Sequence, residues 1–249
     1  MIHRAASAGF QRSADAYDRA RPEYPPEAIA WLWAALALTD GAGVIDVGAG
    51  TGKLTRPLSE RGAEVVAVEP VEAMRRRIAG AAPKARVLAG TAERLPVGDA
   101  TSDVVVAGQA FHWFANEDAL SEFYRALRPG GRLGLVWNRR RLDQPLQAAI
   151  SDLLEPVRGD APRHASNAWR AALEGSGSPF APVGEHEVDF EQSLDEDGLV
   201  DRVGSISFVA ALADDEGSAL LARVRELGRA HAPIRLAYTS EAFAYRART

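Results

Sequence analysis

A chain of 249 residues with 47% hydrophobic and 25% charged side chains has the apolar material for one sizeable core, so one α/β domain with insertions is expected. Its net charge of -5 gives no overall attraction to nucleic acid or an anionic membrane surface. With no cysteine there is no disulfide framework, thiolate metal site or cysteine nucleophile, and the longest apolar run, Ala28 to Leu38, is far short of the ~20 residues of a membrane span. No basic-plus-apolar leader opens the chain, and a soluble cytoplasmic protein is the expectation.

Residues 1–24 are polar and broken, and Ala16 to Pro25 (AYDRARPEYP) gathers two tyrosines and two arginines that suit either a cap over a ligand or a solvated arm. Pro25-Pro26 opens a helix to about Leu38, proline being favoured in a first turn, with Trp31, Leu32, Ala35 and Leu36 as its packing face. Strand–helix alternation follows. The run Val44–Val47 suits a strand buried on both faces, and a helix covers about Gly52–Arg61. Glu64–Val68 is the second strand, about Val71–Ala79 the next helix, and Arg86–Ala89 the third strand. The loop GTAERLPVGDAT leads to a fourth strand at Asp103–Ala107. Asn116 then reads as an N-cap, followed by Glu117 and Asp118 in the first turn and an apolar face of Ala119, Leu120, Phe123, Tyr124 and Leu127. Pro129-Gly130-Gly131 stops that helix before a fifth strand, Arg132–Trp137. These steps predict a doubly wound, mostly parallel sheet.

Beyond Trp137 the pattern loosens into a helical insertion or cap. Helices are expected over Gln144–Val157, Ala165–Leu173, Asp195–Val203 and Asp214–Ala230. EGSGSPFAP is turn-rich, Glu185–Phe190 alternates as a strand should, and Ile234–Arg246 holds the last strand.

The chemistry concentrates at VIDVGAGTGK, Val44 to Lys53. Gly48, Gly50 and Gly52 let a turn take positive φ and let a ligand lie against the backbone ahead of a helix N-terminus, with Asp46 just upstream for a polar or cationic group. A P-loop fails twice, because Val47 occupies its first glycine position and Leu54 follows Lys53. The dinucleotide fingerprint fails at Lys53, which disfavours a nicotinamide-dependent oxidoreductase. Glu69 ends the second strand roughly 20 residues on, where a nucleoside-binding fold places an acid for ribose hydroxyls. His112 and Trp113 either serve as a base and a pocket wall or pack the rim of the sheet. Arg75-Arg76-Arg77 reads as a solvated helix face, and Arg139-Arg140-Arg141 as a solvated run or a site for an anionic substrate. No HExxH, paired cysteine or EF-hand loop calls for a metal.

In order, DVGAGTG, VVAVEP, GTAERLP, DVVVAGQAFHWF and LRPGG resemble the class I S-adenosylmethionine (SAM)-dependent methyltransferases, most closely the small-molecule branch called type 11. The resemblance is strong over residues 16–138 and weak after that; AYDRARPEYP and GQAFHWF are similar to segments of trans-aconitate methyltransferase-like proteins. It implies SAM as cofactor and a single methyltransferase domain: an N-terminal arm or lid at 1–24, a cofactor-binding core at 25–138, and an acceptor-side cap with the final strands at 139–249. Asp46, Gly48, Ala49, Gly50 and Gly52 would face the methionyl part, Glu69 the ribose, and Pro70 the adenine, with Thr91, Ala92 and Glu93 at the adenine edge. Many relatives carry Asp at the position of Thr91. Tyr17 and Arg21 would close over the cofactor, Gln109 would end the fourth strand beside it, and Tyr24, Phe111, His112, Trp113 and Arg139 would meet the methyl acceptor. Amino-directed nucleic-acid methyltransferases usually place Pro-Pro-aromatic where this chain has Gly108-Gln109-Ala110, so a small-molecule acceptor is expected, with neither nucleic acid nor membrane as partner. A non-catalytic SAM-binding regulator on the same fold is the remaining alternative.

Overall fold

The computed structural model describes residues 18–159, 168–175 and 177–248. A single seven-stranded sheet carries the fold in the order β3-β2-β1-β4-β5-β7-β6. Its strands are β1 (Gly43–Val47), β2 (Glu64–Val68), β3 (Arg86–Leu88), β4 (Ser102–Gly108), β5 (Leu127–Arg140), β6 (Phe180–Ser193) and β7 (Arg235–Ala247). The first five run parallel, and β7 returns antiparallel to both β5 and β6. The chain winds outward from β1 through β2 and β3, then restarts at β4 on the other side of β1. That reversal opens a crevice at the carboxyl ends of β1 and β4, where open α/β sheets bind ligands.

The central strands read as continuous apolar runs because both faces are covered. On one face Ile45, Val105 and Leu133 pack with Phe123 of α4 (Glu117–Ala126) and with Trp137, Trp169 and Phe243. On the other, Val44, Val104, Val106 and Val136 meet Leu32 of α1 (Pro26–Ala35) and Leu58 of α2 (Thr55–Glu60). Helix α3 (Glu72–Ala81) joins β2 to β3 and seats Ile78 on Ala67. The expected cap is present as α5 (Pro145–Leu154), α7 (Glu196–Gly204) and α8 (Asp214–Ala230), which share a third core of Leu146, Ile150, Leu199, Val203, Val224 and Tyr238. Between them lies α6 (Ala168–Glu174); residues 165–167 of the helix expected there lie outside the described residues.

Local chemistry explains the boundaries. The Asn116 side chain accepts from the Ala119 N–H at 2.9 Å, capping α4 as expected, and Asp195 caps α7 by accepting from Gly198 at 2.7 Å. Three spans differ from expectation. Helix α1 ends at Ala35, with Ala37 at φ 51 turning the chain away. Pro129-Gly130-Gly131, expected as a helix stop, lies inside the span of β5: pairing jumps from Ser102↔Leu127 to Val104↔Arg132, so these residues bulge out of the ladder. Strand β6 is 14 residues long rather than the six of Glu185–Phe190, and it tolerates Pro182 because it is the sheet edge. Among the described residues no helix is long and apolar enough to cross a membrane, and no cluster of three or more His, Cys, Asp or Glu is placed to hold a metal.

Candidate active site

The turn between β1 and α2 forms the floor of the crevice. Asp46 is fully buried; its Oδ2 accepts from Thr55 Oγ1 at 2.6 Å, while Oδ1 is sealed from solvent without a hydrogen-bond partner among the described residues. Burial pushes its pKa from 3.8 to about 7, the nearby Glu69 adding to the rise and the Thr55 hydroxyl opposing it. Gly48 takes φ 68, and a Cβ there would come within 2.9 Å of the Ala110 Cβ. Gly50 takes φ 59, and a Cβ there would meet no atom within 4 Å, so the backbone faces open space. This is the geometry in which a ligand lies on bare backbone.

Glu69, 6% exposed at the end of β2, closes the floor. Its Oε2 accepts from the Gly50 N–H at 3.0 Å and its Oε1 from the Val71 N–H at 2.8 Å. Burial raises its pKa, and the two backbone amides oppose that rise. A carboxylate has about four acceptor positions, so two amides leave capacity for ligand hydroxyls. Arg75 is not part of a solvated face: its Nη1 donates to the carbonyls of Glu69 and Pro70 at 2.9 and 2.7 Å, clamping the turn that presents the acid. Thr91, Ala92 and Glu93 follow β3, which pairs with β2 through Val68↔Leu88; Ala92 is buried in the core and Thr91 bridges to Arg94.

Residues 18–24 lie across the carboxyl end of the sheet. Arg21 donates from Nε and Nη2 to the hydroxyl and carbonyl of Ser205, both at 3.1 Å. Glu23 pairs with Lys53 at 2.6 Å and Arg56 at 2.9 Å, its carbonyl accepts from Asn138 Nδ2 at 3.1 Å, and Gln192 holds the Ala20 carbonyl at 2.9 Å. The Tyr24 hydroxyl sits where a Cβ on Gly108 would be, 2.5 Å away, so the glycine that ends β4 makes room for it. The resulting cleft is lined by Arg21, Tyr24, Asp46, Gly50, Gln109 and Arg202, among others. Tyr17 lies outside the described residues.

The expected acceptor-side residues have varied surroundings. Phe111 is fully buried against Phe114, Phe123 and Trp169, because the 3-10 turn after β4 folds its ring into the core. His112 Nδ1 accepts from the Trp137 indole N–H at 3.2 Å. An indole nitrogen only donates, so neutral His112 carries its proton on Nε2 and presents a donor there, which does not suit a base acting through Nε2. Trp113 rests on the His112 ring with centroids 5.2 Å apart. Arg139 is ion-paired to Glu241 at 2.5 Å. Gln109, at φ 57, donates to the Asn138 carbonyl at 3.2 Å and does line the cleft. Arg202, 5% exposed in the last turn of α7, was missed by sequence reasoning, as were Thr55 and Asn138; none lies in a motif.

A doubly wound sheet with a glycine loop at its reversal point, a buried acid before that loop and a second at the next strand end define a class I methyltransferase. Residues 45–135 match the family described as "Methyltransferase domain". The chain is 41% identical over 227 residues to an uncharacterized methyltransferase of Mycobacterium bovis, covering 90% of this chain and 87% of the relative. It is 33% identical over 221 residues to a methyltransferase-like protein of Schizosaccharomyces pombe, covering 88% and 86%. A solved structure from Anaeromyxobacter dehalogenans, assigned as a type II methyltransferase, superposes with a TM-score of 0.68 at 26% identity over 92% of this chain and 97% of that one. The chain belongs to the methyltransferase family and is a methyltransferase. Its fold implies SAM as the methyl source. The residues fit that group: Asp46 Oδ1 is a buried acceptor awaiting a donor, and the open backbone at Gly50 is a cradle a side chain would fill.

Proposed function

We propose that this cleft transfers the methyl group of SAM to a small-molecule acceptor. The observation that carries the reading is the orphaned, buried Asp46 Oδ1 beside the bare Gly50 backbone. Asp46 receives the ammonium of the methionyl part, Glu69 accepts from the ribose hydroxyls, and Pro70 with the backbone of Ala92 and Glu93 borders the adenine. When bound, SAM supplies an activated sulfonium methyl. The protein's share is orientation and dryness: residues 18–24 and α7 cover the carboxyl end of the sheet, and Tyr24 and Gln109 flank the position where an acceptor approaches. His112 serves as a hydrogen-bond donor or rim residue. The acidic net charge and Gly108-Gln109-Ala110 support a small acceptor over nucleic acid. The finer likeness to trans-aconitate methyltransferase-like proteins is part of the same proposal.

Calorimetry with SAM, its demethylated product and NAD is the direct test. SAM and the product should bind at micromolar dissociation constants or tighter. Heat from NAD with none from SAM would overturn the reading. A screen with methyl-labelled SAM then asks for transfer to a metabolite.

A further inference from the structure

The three arginines that end β5 look alike in sequence and differ sharply in surroundings. Arg139 is matched by Glu241, and Arg141 by Asp143 at 2.7 Å and Asp189 at 2.8 Å. Arg140 has no carboxylate partner among the described residues. Its Nη1 is sealed from solvent and has no hydrogen-bond partner among the described residues. The charges acting on it are two more arginines, Arg202 and Arg158, with only the Tyr238 ring hydroxyl in its favour; burial and that repulsion hold its pKa down to about 10. Arg158 is engaged elsewhere, donating to Glu155 at 3.0 Å against the Phe208 ring.

Arg202 completes the arrangement. It is 5% exposed, and its one side-chain hydrogen bond among the described residues runs from Nε to the Tyr238 hydroxyl at 3.0 Å. Tyr238 stands directly across the β5–β7 ladder from Arg140, so the residue that holds Arg202 is also the register partner of Arg140. Arg202 lines the same cleft as Asp46 and Gln109, and Asn138, two residues before Arg140 and on its face of β5, holds the segment that covers that cleft. A buried Arg202 and an Arg140 with a sealed Nη1, neither with a counter-charge among the described residues, are costly and weaken a fold, so packing alone gives no reason for them. A planar fork of N–H donors in a dry site is what recognition of an oxyanion requires.

We propose that Arg140 and Arg202 form an anion-binding wall that holds a carboxylate or phosphate group of the methyl acceptor. The inference rests on the cleft being where SAM meets that acceptor. It restricts the substrate class to acids whose anionic group lies beyond the transferring methyl, on the β5–β7 side.

The test uses the full chain, alone and saturated with the demethylated product of SAM. Inorganic phosphate and a series of aliphatic mono- and dicarboxylates, each paired with its neutral amide, are titrated by calorimetry into wild type, Arg140→Gln, Arg140→Lys and Arg141→Gln. Anions but not amides should bind wild type. Arg140→Gln should weaken them at least tenfold, Arg140→Lys should weaken them less, and Arg141→Gln should leave them unchanged. Affinity for the demethylated product should stay within twofold in Arg140→Gln, and its ligand-free melting temperature should equal or exceed that of wild type. Loss of product affinity in that variant would assign the anion to the cofactor's own carboxylate and overturn the proposal. Unaltered anion binding, its absence in wild type, or a fall in melting temperature would overturn it too. Failure of the product to bind wild type, with anion binding by the free chain intact, would instead sink the reading of the cleft as a SAM site.

Discussion

Asp46 carries a strong pH signature. Its pKa lies at about 7 in the fold against 3.8 for an ordinary aspartate, so its contribution to stability is complete below about pH 4 and is lost as pH rises through about 7. The loss is on the order of 4 kcal/mol at ~1.4 kcal/mol per pKa unit. Asp46→Asn should therefore be progressively more stable than wild type from pH 5 to pH 8 in urea titrations without ligand. Binding should run the opposite way. An ammonium needs the ionised carboxylate, so SAM affinity should rise about fivefold from pH 6 to pH 7, before the ligand's own α-amino group deprotonates at ~7.7–8.0. Asp46→Asn should bind weakly with a flat profile. Glu69 does two jobs, holding the Gly50 amide and leaving lone pairs for hydroxyls. Glu69→Ala should cost roughly 1.5–3 kcal/mol of affinity for the demethylated product, measured by calorimetry, since its bonds are to a charged acceptor. An unchanged dissociation constant would remove Glu69 from the site.

Among the elements, the segment at residues 18–24 changes the picture most. Sequence alone left the stretch from Ala16 to Pro25 as cap or arm, because a polar stretch with two tyrosines carries no period. The contacts that place it are all distant in sequence: Arg21 to Ser205, the Asn138 side chain to Glu23, and Gln192 to Ala20. Such a strap is held by a few hydrogen bonds and partly exposed ion pairs, so its opening should cost far less than global unfolding. Hydrogen exchange should show its amides protected in the presence of the demethylated product and faster without it. Equal exchange in both states would mean that the strap does not respond to the ligand. Other elements were readable to different degrees for physical reasons. Helix α4 was readable because its cap, first-turn acids and apolar face are all local. The bulge in β5 and the length of β6 depend on which strand lies alongside, which spacing does not report.

At the scale of the whole molecule, the doubly wound sheet was legible because β1 to β5 alternate with helices at steps that leave few topologies. The floor of the candidate cleft was legible for the same reason: Asp46, the glycines and Glu69 sit at strand ends fixed by that winding. The proposed acceptor side was not, since Arg140 and Arg202 come from a strand and a helix 62 residues apart, and a run of three arginines conceals which one lacks a partner among the described residues.

The long outer strand β6 has a consequence for how this protein behaves in company. No strand among the described residues pairs with its outer edge, a row of backbone donors and acceptors that a neighbouring chain could extend into a continuous ribbon. Glu185, Glu187, Asp189 and Glu191 stand exposed along it, and Pro182 removes one donor near its start. At the opposite margin β3 offers only three residues to pair with. These acids, three of them paired with Arg170, Arg141 and Arg235, give the edge a charged guard in place of a covering helix, and that guard lasts only while they are ionised. Replacing Glu187 and Glu191 with valine should leave the monomer folded yet raise light scattering on concentration, with an added β signal in the infrared. Salt should hasten the same change in the native chain by screening its charges; scattering indifferent to both would show that the edge is guarded by shape and not by charge.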